Sequence, residues 1–236
     1  MLYTRIIATV CMVLCLGTAQ AQTDDQYRME IGGGVGMMAY QGDFNGSIAS
    51  GMKPMASVML RRIINPFMGF RLAVQYGKIS GGSDNASTYY PAYDGKPYTF
   101  SCGVADMSLT YEYNFWPYGT GRDYRGAKRL TPFIFGGLGA TFASKANEGA
   151  KSVFTANVPI GLGIKYKVAP RLNVGLEWAI HFSLSDNLDG ATDPYNIPSS
   201  GLFKNTDCYS ALQLSLTYSF ILNAERATTP TNKNDI

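Results

Sequence analysis

The chain has 236 residues and a mean hydropathy of −0.06, which suits one domain and leaves no room for a bundle of membrane helices. Its formal net charge of +3 implies neither nucleic acid nor an acidic substrate. The 26 Gly, 16 Tyr and 12 Phe instead fit strands with aromatic girdles around a cramped interior.

The chain opens with a secretory signal over residues 1–21: Arg5 gives the positive end, Ile6 to Leu16 the apolar centre, and Ala19-Gln20-Ala21 the small-residue cleavage site. A lipid anchor at Cys15 is the competing reading, but Leu14 precedes it where such signals carry a small residue. Eight strand-like runs follow, at 28–40, 53–63, 67–79, 102–115, 130–143, 153–168, 171–184 and 208–220. The links 41–52, 80–101, 144–152 and 185–207 are polar and turn-rich, whereas Ile64-Asn65-Pro66 and Ala169-Pro170 are tight. Long loops on one side, short turns on the other and an even strand number predict an outer-membrane barrel of a Gram-negative bacterium with both mature termini in the periplasm.

The sixth and seventh runs carry the pattern most cleanly. Phe154, Ala156, Val158, Ile160, Leu162, Ile164, Tyr166 and Val168 share one face; Thr155, Asn157, Gly161, Gly163, Lys165 and Lys167 share the other. Leu172 to Leu184 continue the alternation, with Asn173, Glu177 and His181 opposite. An inner face that is polar or Gly-rich over more than the ~9–11 residues of a tilted spanning strand separates a transmembrane barrel from a soluble sandwich. Keeping the faces consistent across Ala169-Pro170 calls for an odd loop of about three residues. Pro159 breaks no alternation, so it predicts one missing ladder bond and no bulge. In the fourth run Ala105, Met107, Leu109, Tyr111, Tyr113 and Phe115 point to lipid; in the eighth, Leu212, Leu214, Leu216, Tyr218 and Phe220 do. The fifth run assigns its faces poorly, with Ile134, Leu138 and Phe142 expected outward. The barrel is expected over 22–222, with a polar periplasmic tail over 223–236.

The expectation is an all-β, eight-stranded, antiparallel up-and-down transmembrane β-barrel with a closed interior filled by side chains. Its inward polar set is Glu30, Arg61, Arg71, Gln75, Asp106, Glu112, Lys165, Glu177, His181 and Gln213. Opposite charges in so narrow a space must pair, because an unpaired buried ion costs several kcal/mol, and pairing leaves no open channel. A proton or ion path through the same groups is the sharper alternative. His181 is the lone histidine, and no Ser, Cys or metal-ligand spacing completes a catalytic set around it. Gly34 to Ala39 fits the loose dinucleotide pattern, but no helix follows, so these glycines thin the inner wall. Asp186, Asn187, Asp189 and Asp193 fit no calcium-loop spacing. The reading therefore includes no enzyme activity, no metal or cofactor and no small-molecule substrate; lipid is the expected environment. Cys102 and Cys208, at the extracellular ends of strands on opposite walls, form a candidate disulfide if the loops fold over the mouth.

One link breaks the short-turn rule. Residues 116–129 carry Arg122, Arg125, Lys128 and Arg129 with Tyr118 and Tyr124 interleaved, and read either as a basic collar at lipid headgroups or as a docking surface for a periplasmic partner.

Tyr40-Gln41-Gly42-Asp43-Phe44, Tyr111 to Phe115, Thr131 to Gly139, Pro159 to Tyr166, Leu176-Glu177-Trp178 and Ser185 to Gly190, in that order, resemble the PorG family, small outer-membrane barrels of the type IX secretion system. The resemblance implies a non-enzymatic component that associates with a periplasmic ring of a PorK-like lipoprotein and a PorN-like protein. Gly190 stands where the family pattern often has a second acidic residue. A surface or adhesion barrel of the OmpA and OmpX kind, with its function in loops 80–101 and 185–207, is the alternative; a membrane-embedded hydrolase would need a rim nucleophile beside a histidine, and His181 is expected inward.

Overall fold

The computed structural model describes residues 28–41, 51–82, 99–119, 126–145, 152–184 and 207–220. The signal segment, most of the long loops, residues 120–125 and the tail lie outside the described residues. The described elements are eight strands: β1 (Met29–Gln41), β2 (Lys53–Asn65), β3 (Met68–Gly82), β4 (Thr99–Asn114), β5 (Leu130–Ala143), β6 (Val153–Ala169), β7 (Leu172–Ser183) and β8 (Cys208–Phe220). Each pairs antiparallel with the next, and β1 pairs β8, closing the barrel. Closure leaves the sheet without an edge, which a sheet in lipid requires.

The burial of these strands is that of a soluble protein turned inside out. Val35, Val58, Leu138, Phe154, Leu162, Leu214 and Leu216 are exposed, while Glu30, Arg61, Arg71, Asp106, Glu112, Lys165 and Glu177 are buried. An apolar outer band on a closed antiparallel barrel is the architecture of an outer-membrane-type barrel. The faces of β4, β6, β7 and β8 follow the alternation, and Ile134, Leu138 and Phe142 of β5 do point outward. At Pro159 the register is the same on both sides: Gly136 pairs Ile160 and Gly139 pairs Asn157, with pairs lacking only between them.

The tight turns differ from expectation. β6 and β7 are joined by two residues, Pro170 and Arg171, and a register shift between Lys167 and Ala169 restores the parity that a longer loop was expected to supply. β2 and β3 repeat the device: Pro66 and Phe67 form the turn, the register shifts between Ile63 and Asn65, and the Phe67 amide donates to Asn65 Oδ1 at 2.9 Å. Proline presets the first turn position and a bulge re-aims the strand.

Candidate functional site: the sealed lumen and the short-turn rim

Strand parity sends one side chain in two to the lumen, and the structure brings the expected charged groups there into one connected chain. Glu30 pairs with Arg61; Arg61 Nε lies 2.7 Å from Glu112, Arg71 Nε 3.3 Å from Glu112, and Arg71 pairs onward with Glu177. Lys165 Nζ joins at Glu112, 2.5 Å away, and also donates to Asn114 Oδ1 at 3.1 Å. Three carboxylates thus face three cations, and the chain is neutral. Polar neighbours take up further capacity: Glu30 accepts from Asn173 at 3.2 Å and Ser219 at 3.3 Å, and Glu177 accepts from Gln213, which accepts from Ser57 at 2.6 Å. Such partnering offsets the desolvation of buried ions.

A second polar knot lies toward the long-loop end. Asp106 accepts from Gln75 and Thr141 at 3.1 Å, from Tyr209 at 3.0 Å and from Asn157. His181 stacks on Tyr209 with centroids 4.6 Å apart, its Nε2 3.0 Å from the Gln75 amide nitrogen and its Nδ1 3.7 Å from Asp106. Among the described residues no His, Cys, Asp and Glu group could hold a metal ion.

Three parts of the filling were not foreseen. Phe133 and Phe135 point inward, with Lys165 Nζ 4.1 Å from one ring centroid and the Arg71 guanidinium 4.3 Å from the other. They fit because Gly163 and Gly161 lie opposite them in register; a Cβ on Gly161 would stand 2.3 Å from Phe135 Cζ. Glycine facing phenylalanine was the available signal. Above Asp106 an apolar cluster of Met38, Tyr40, Met55, Ile79, Phe100, Cys102 and Val104 fills the mouth. At the other end Tyr118, only 2% exposed, donates to Asn173 Oδ1 at 2.7 Å and stops the lumen; burial and the Glu30 carboxylate push its phenol well above the ordinary range. Two cavities lined by described lumen residues are about 20 and 10 Å³, room for roughly one water each.

Two expected roles are corrected by these placements. Tyr118 is spent on closing the barrel and cannot anchor a partner. Cys102 and Cys208 are both thiols, not a disulfide. They sit on β4 and β8, half a barrel apart; Cys102 packs in the mouth cluster, while Cys208 donates to Gln41 O at 3.4 Å on the neighbouring strand.

The rim that holds the two-residue turns, residues 115–119 and 126–129, the start of β1 and the end of β8 has a charge bias. Among the described residues the carboxylates are Glu30, Asp106, Glu112, Glu177 and Asp207, and every one is buried. Arg28, Arg62, Lys128, Arg129 and Arg171, all near this rim, are exposed. Lys128 lies over the Trp116 ring, 4.9 Å from its centroid. Arg122, Tyr124 and Arg125 fall outside the described residues.

A family model described as a domain of unknown function, DUF6089, matches residues 4–225. No curated protein matches the chain. Among solved structures, Neisserial surface protein A is 13% identical, with 84% of this chain and 100% of that chain covered at a TM-score of 0.47. The N-terminal barrel domain of Pseudomonas aeruginosa OprF is 12% identical, covers 83% and 100%, and scores 0.46. The attachment invasion locus protein Ail of Yersinia pestis is 11% identical, covers 82% and 99%, and also scores 0.46.

Proposed function

The chain belongs to the DUF6089 family, and from that premise we propose that it is a non-enzymatic outer-membrane component of the type IX protein secretion system, docked through its periplasmic rim on a ring of a PorK-like lipoprotein and a PorN-like protein. The order of motifs from Tyr40-Gln41-Gly42 to Asp189-Gly190, which resembles PorG, supports the choice of machine. The observation that carries the reading is the sorting of charge: the described carboxylates are consumed or buried inside, while the short-turn rim exposes Arg28, Arg62, Arg129 and Arg171. A barrel sealed by ion pairs, an apolar mouth and Tyr118 is suited to presenting a surface. Guanidinium groups on that surface can form bidentate pairs with acidic groups of a partner. In this assignment both mature termini, the tail and the 115–129 link face the periplasm.

Replacing Arg122, Arg125 and Arg129 with Ser tests it, since Arg129 precedes β5 and the sequence places the other two between β4 and β5. The protein should still insert and shift on gels with heating, and capture of the ring lipoprotein should weaken. Unchanged capture, with loss only on removal of residues 223–236, would move the contact to the tail and defeat the rim assignment.

A further inference from the structure

The outer wall is not filled evenly. Across β4 to β7 runs a groove of about 540 Å³ whose walls include Tyr111, Tyr113, Ile134, Leu162 and Trp178, with Gly136 in its floor. It exists because Gly136 faces outward in register between Tyr111 and Ile160, leaving a gap one side chain deep, while Ile134 and Leu138 on either side stand 47% and 72% exposed. The volume falls within the roughly 300–1,000 Å³ of ligand sites. Its lower end is Tyr113 and Ile134.

About three residues farther along the chain, or ~10 Å at the rise of a strand, comes Trp116. The Trp116 amide donates to Thr131 Oγ1 at 3.1 Å and its carbonyl accepts from the same hydroxyl at 3.0 Å, so the backbone that carries the indole is fixed at the rim. The Lys128 amide donates to Pro117 O at 2.8 Å, and its ammonium rests over the indole. Together with Phe115 and Tyr113 this forms an aromatic girdle, the depth at which lipid headgroups lie. No exposed carboxylate among the described residues competes for that ammonium.

We propose that this wall binds an anionic phospholipid, one acyl chain lying in the groove over Gly136 and the headgroup phosphate held by Lys128. An apolar slot whose lower end lies toward a cation resting on an interfacial indole is complementary to an amphiphile with a negative head. A second copy of the barrel would bring its own cationic rim to the same level and meet like charge. The site needs only the membrane-spanning architecture and is independent of the secretion reading.

The experiment uses the full chain folded into vesicles of phosphatidylethanolamine and phosphatidylglycerol, extracted in detergent and weighed by native mass spectrometry. The unaltered protein should retain phosphatidylglycerol in preference to phosphatidylethanolamine. Lys128→Ser should reduce the retained phosphatidylglycerol about fivefold, the effect of losing roughly 1 kcal/mol per surface cation, and leave phosphatidylethanolamine alone. Gly136→Leu should fill the groove and reduce both lipids; Leu162→Trp serves the same purpose if that variant does not fold, as judged by heat-dependent gel migration. Lys53→Ser, at the opposite rim, should retain lipid as the unaltered protein does. Phosphatidylglycerol retention by Lys128→Ser and by the groove variants equal to that of the unaltered protein would overturn the site. So would a groove variant that converts a dimer to a monomer, since a second copy would then be the occupant.

Discussion

Glu112→Gln is the most exposing single change in the lumen. The substitution keeps the shape of the side chain and removes one charge that three cations share: Lys165 at 2.5 Å, Arg61 at 2.7 Å and Arg71 at 3.3 Å. Arg61 keeps Glu30 and Arg71 keeps Glu177, but Lys165 is left with the Asn114 amide oxygen and the Phe133 ring. Breaking a buried pair from one side costs about 3–5 kcal/mol, and because two of the three cations retain a carboxylate the expectation is the lower end, about 3 kcal/mol. Urea unfolding of the full chain in lipid vesicles, followed by fluorescence of Trp116 and Trp178 and by gel shift, reads the loss. Adding Lys165→Met removes the orphaned cation and places a thioether on Phe133, so the double variant should regain about 1.5 kcal/mol or more relative to Glu112→Gln. A Glu112→Gln cost below about 1 kcal/mol, or a Lys165→Met cost that simply adds, would show that the ion chain does not hold the barrel as argued.

Other changes probe the packing, the seal and the thiols. Gly161→Ala should cost about 1–3 kcal/mol, because its Cβ would meet Phe135 Cζ at 2.3 Å and Trp178 O at 2.6 Å. Gly136→Ala, whose nearest neighbour would be Pro159 O at 3.7 Å, should stay within about 0.5 kcal/mol in the same assay; equal effects would sever the link between the inward glycines and the phenylalanines. In planar bilayers the protein should give no stable conductance, since lumen cavities of about 20 and 10 Å³ cannot form a water file; porin-like steps would contradict the closed chain of ion pairs. Unreduced protein, once unfolded, should titrate both Cys102 and Cys208, and protection of both would contradict their placement on opposite walls.

The strands and most of the lumen were legible because the period of two is absolute: once Leu162 and Ile164 face lipid, Lys165 must face in, and the charges then have only each other. Legibility failed where both faces are apolar. Phe133, Ile134 and Phe135 alternate in direction but not in character, and only the glycines of β6, two strands' worth of sequence away, reveal which rings go inside. The mouth cluster was hidden for the same reason, since neighbours such as Met37 and Met38 are apolar on both faces; Phe100 alone among the named residues lies in what reads as a loop. Parity across Pro170 could be inferred, but not its means, because a bulge leaves no composition signal. Tyr118 was the opposite error: a tyrosine just ahead of a run of cations suggests an exposed anchor, and nothing local says that the chain turns it under the barrel.

The sorting of charge has a physical origin that bears on where the barrel can act. A short carboxylate stem placed on the outer wall cannot lift its charge from hydrocarbon to the headgroups, whereas Lys and Arg reach several bonds farther and place theirs at the interface. Carboxylates in the strands are therefore confined to the lumen, where Glu30, Glu112 and Glu177 are matched by Arg61, Arg71 and Lys165. Exposed cations lie at the rims, Arg28, Arg62, Arg129 and Arg171 at one and Lys53, Lys78 and Lys145 at the other. Moving an ion or a polar substrate through the centre would require breaking the very pairs that keep each buried charge solvated, at several kcal/mol apiece. Binding at a rim costs no such rupture, because the exposed cations there are already hydrated and can exchange water for an anionic group. Energetically, then, the lumen is committed to holding the wall together, and the rims are where this barrel can afford to meet something else.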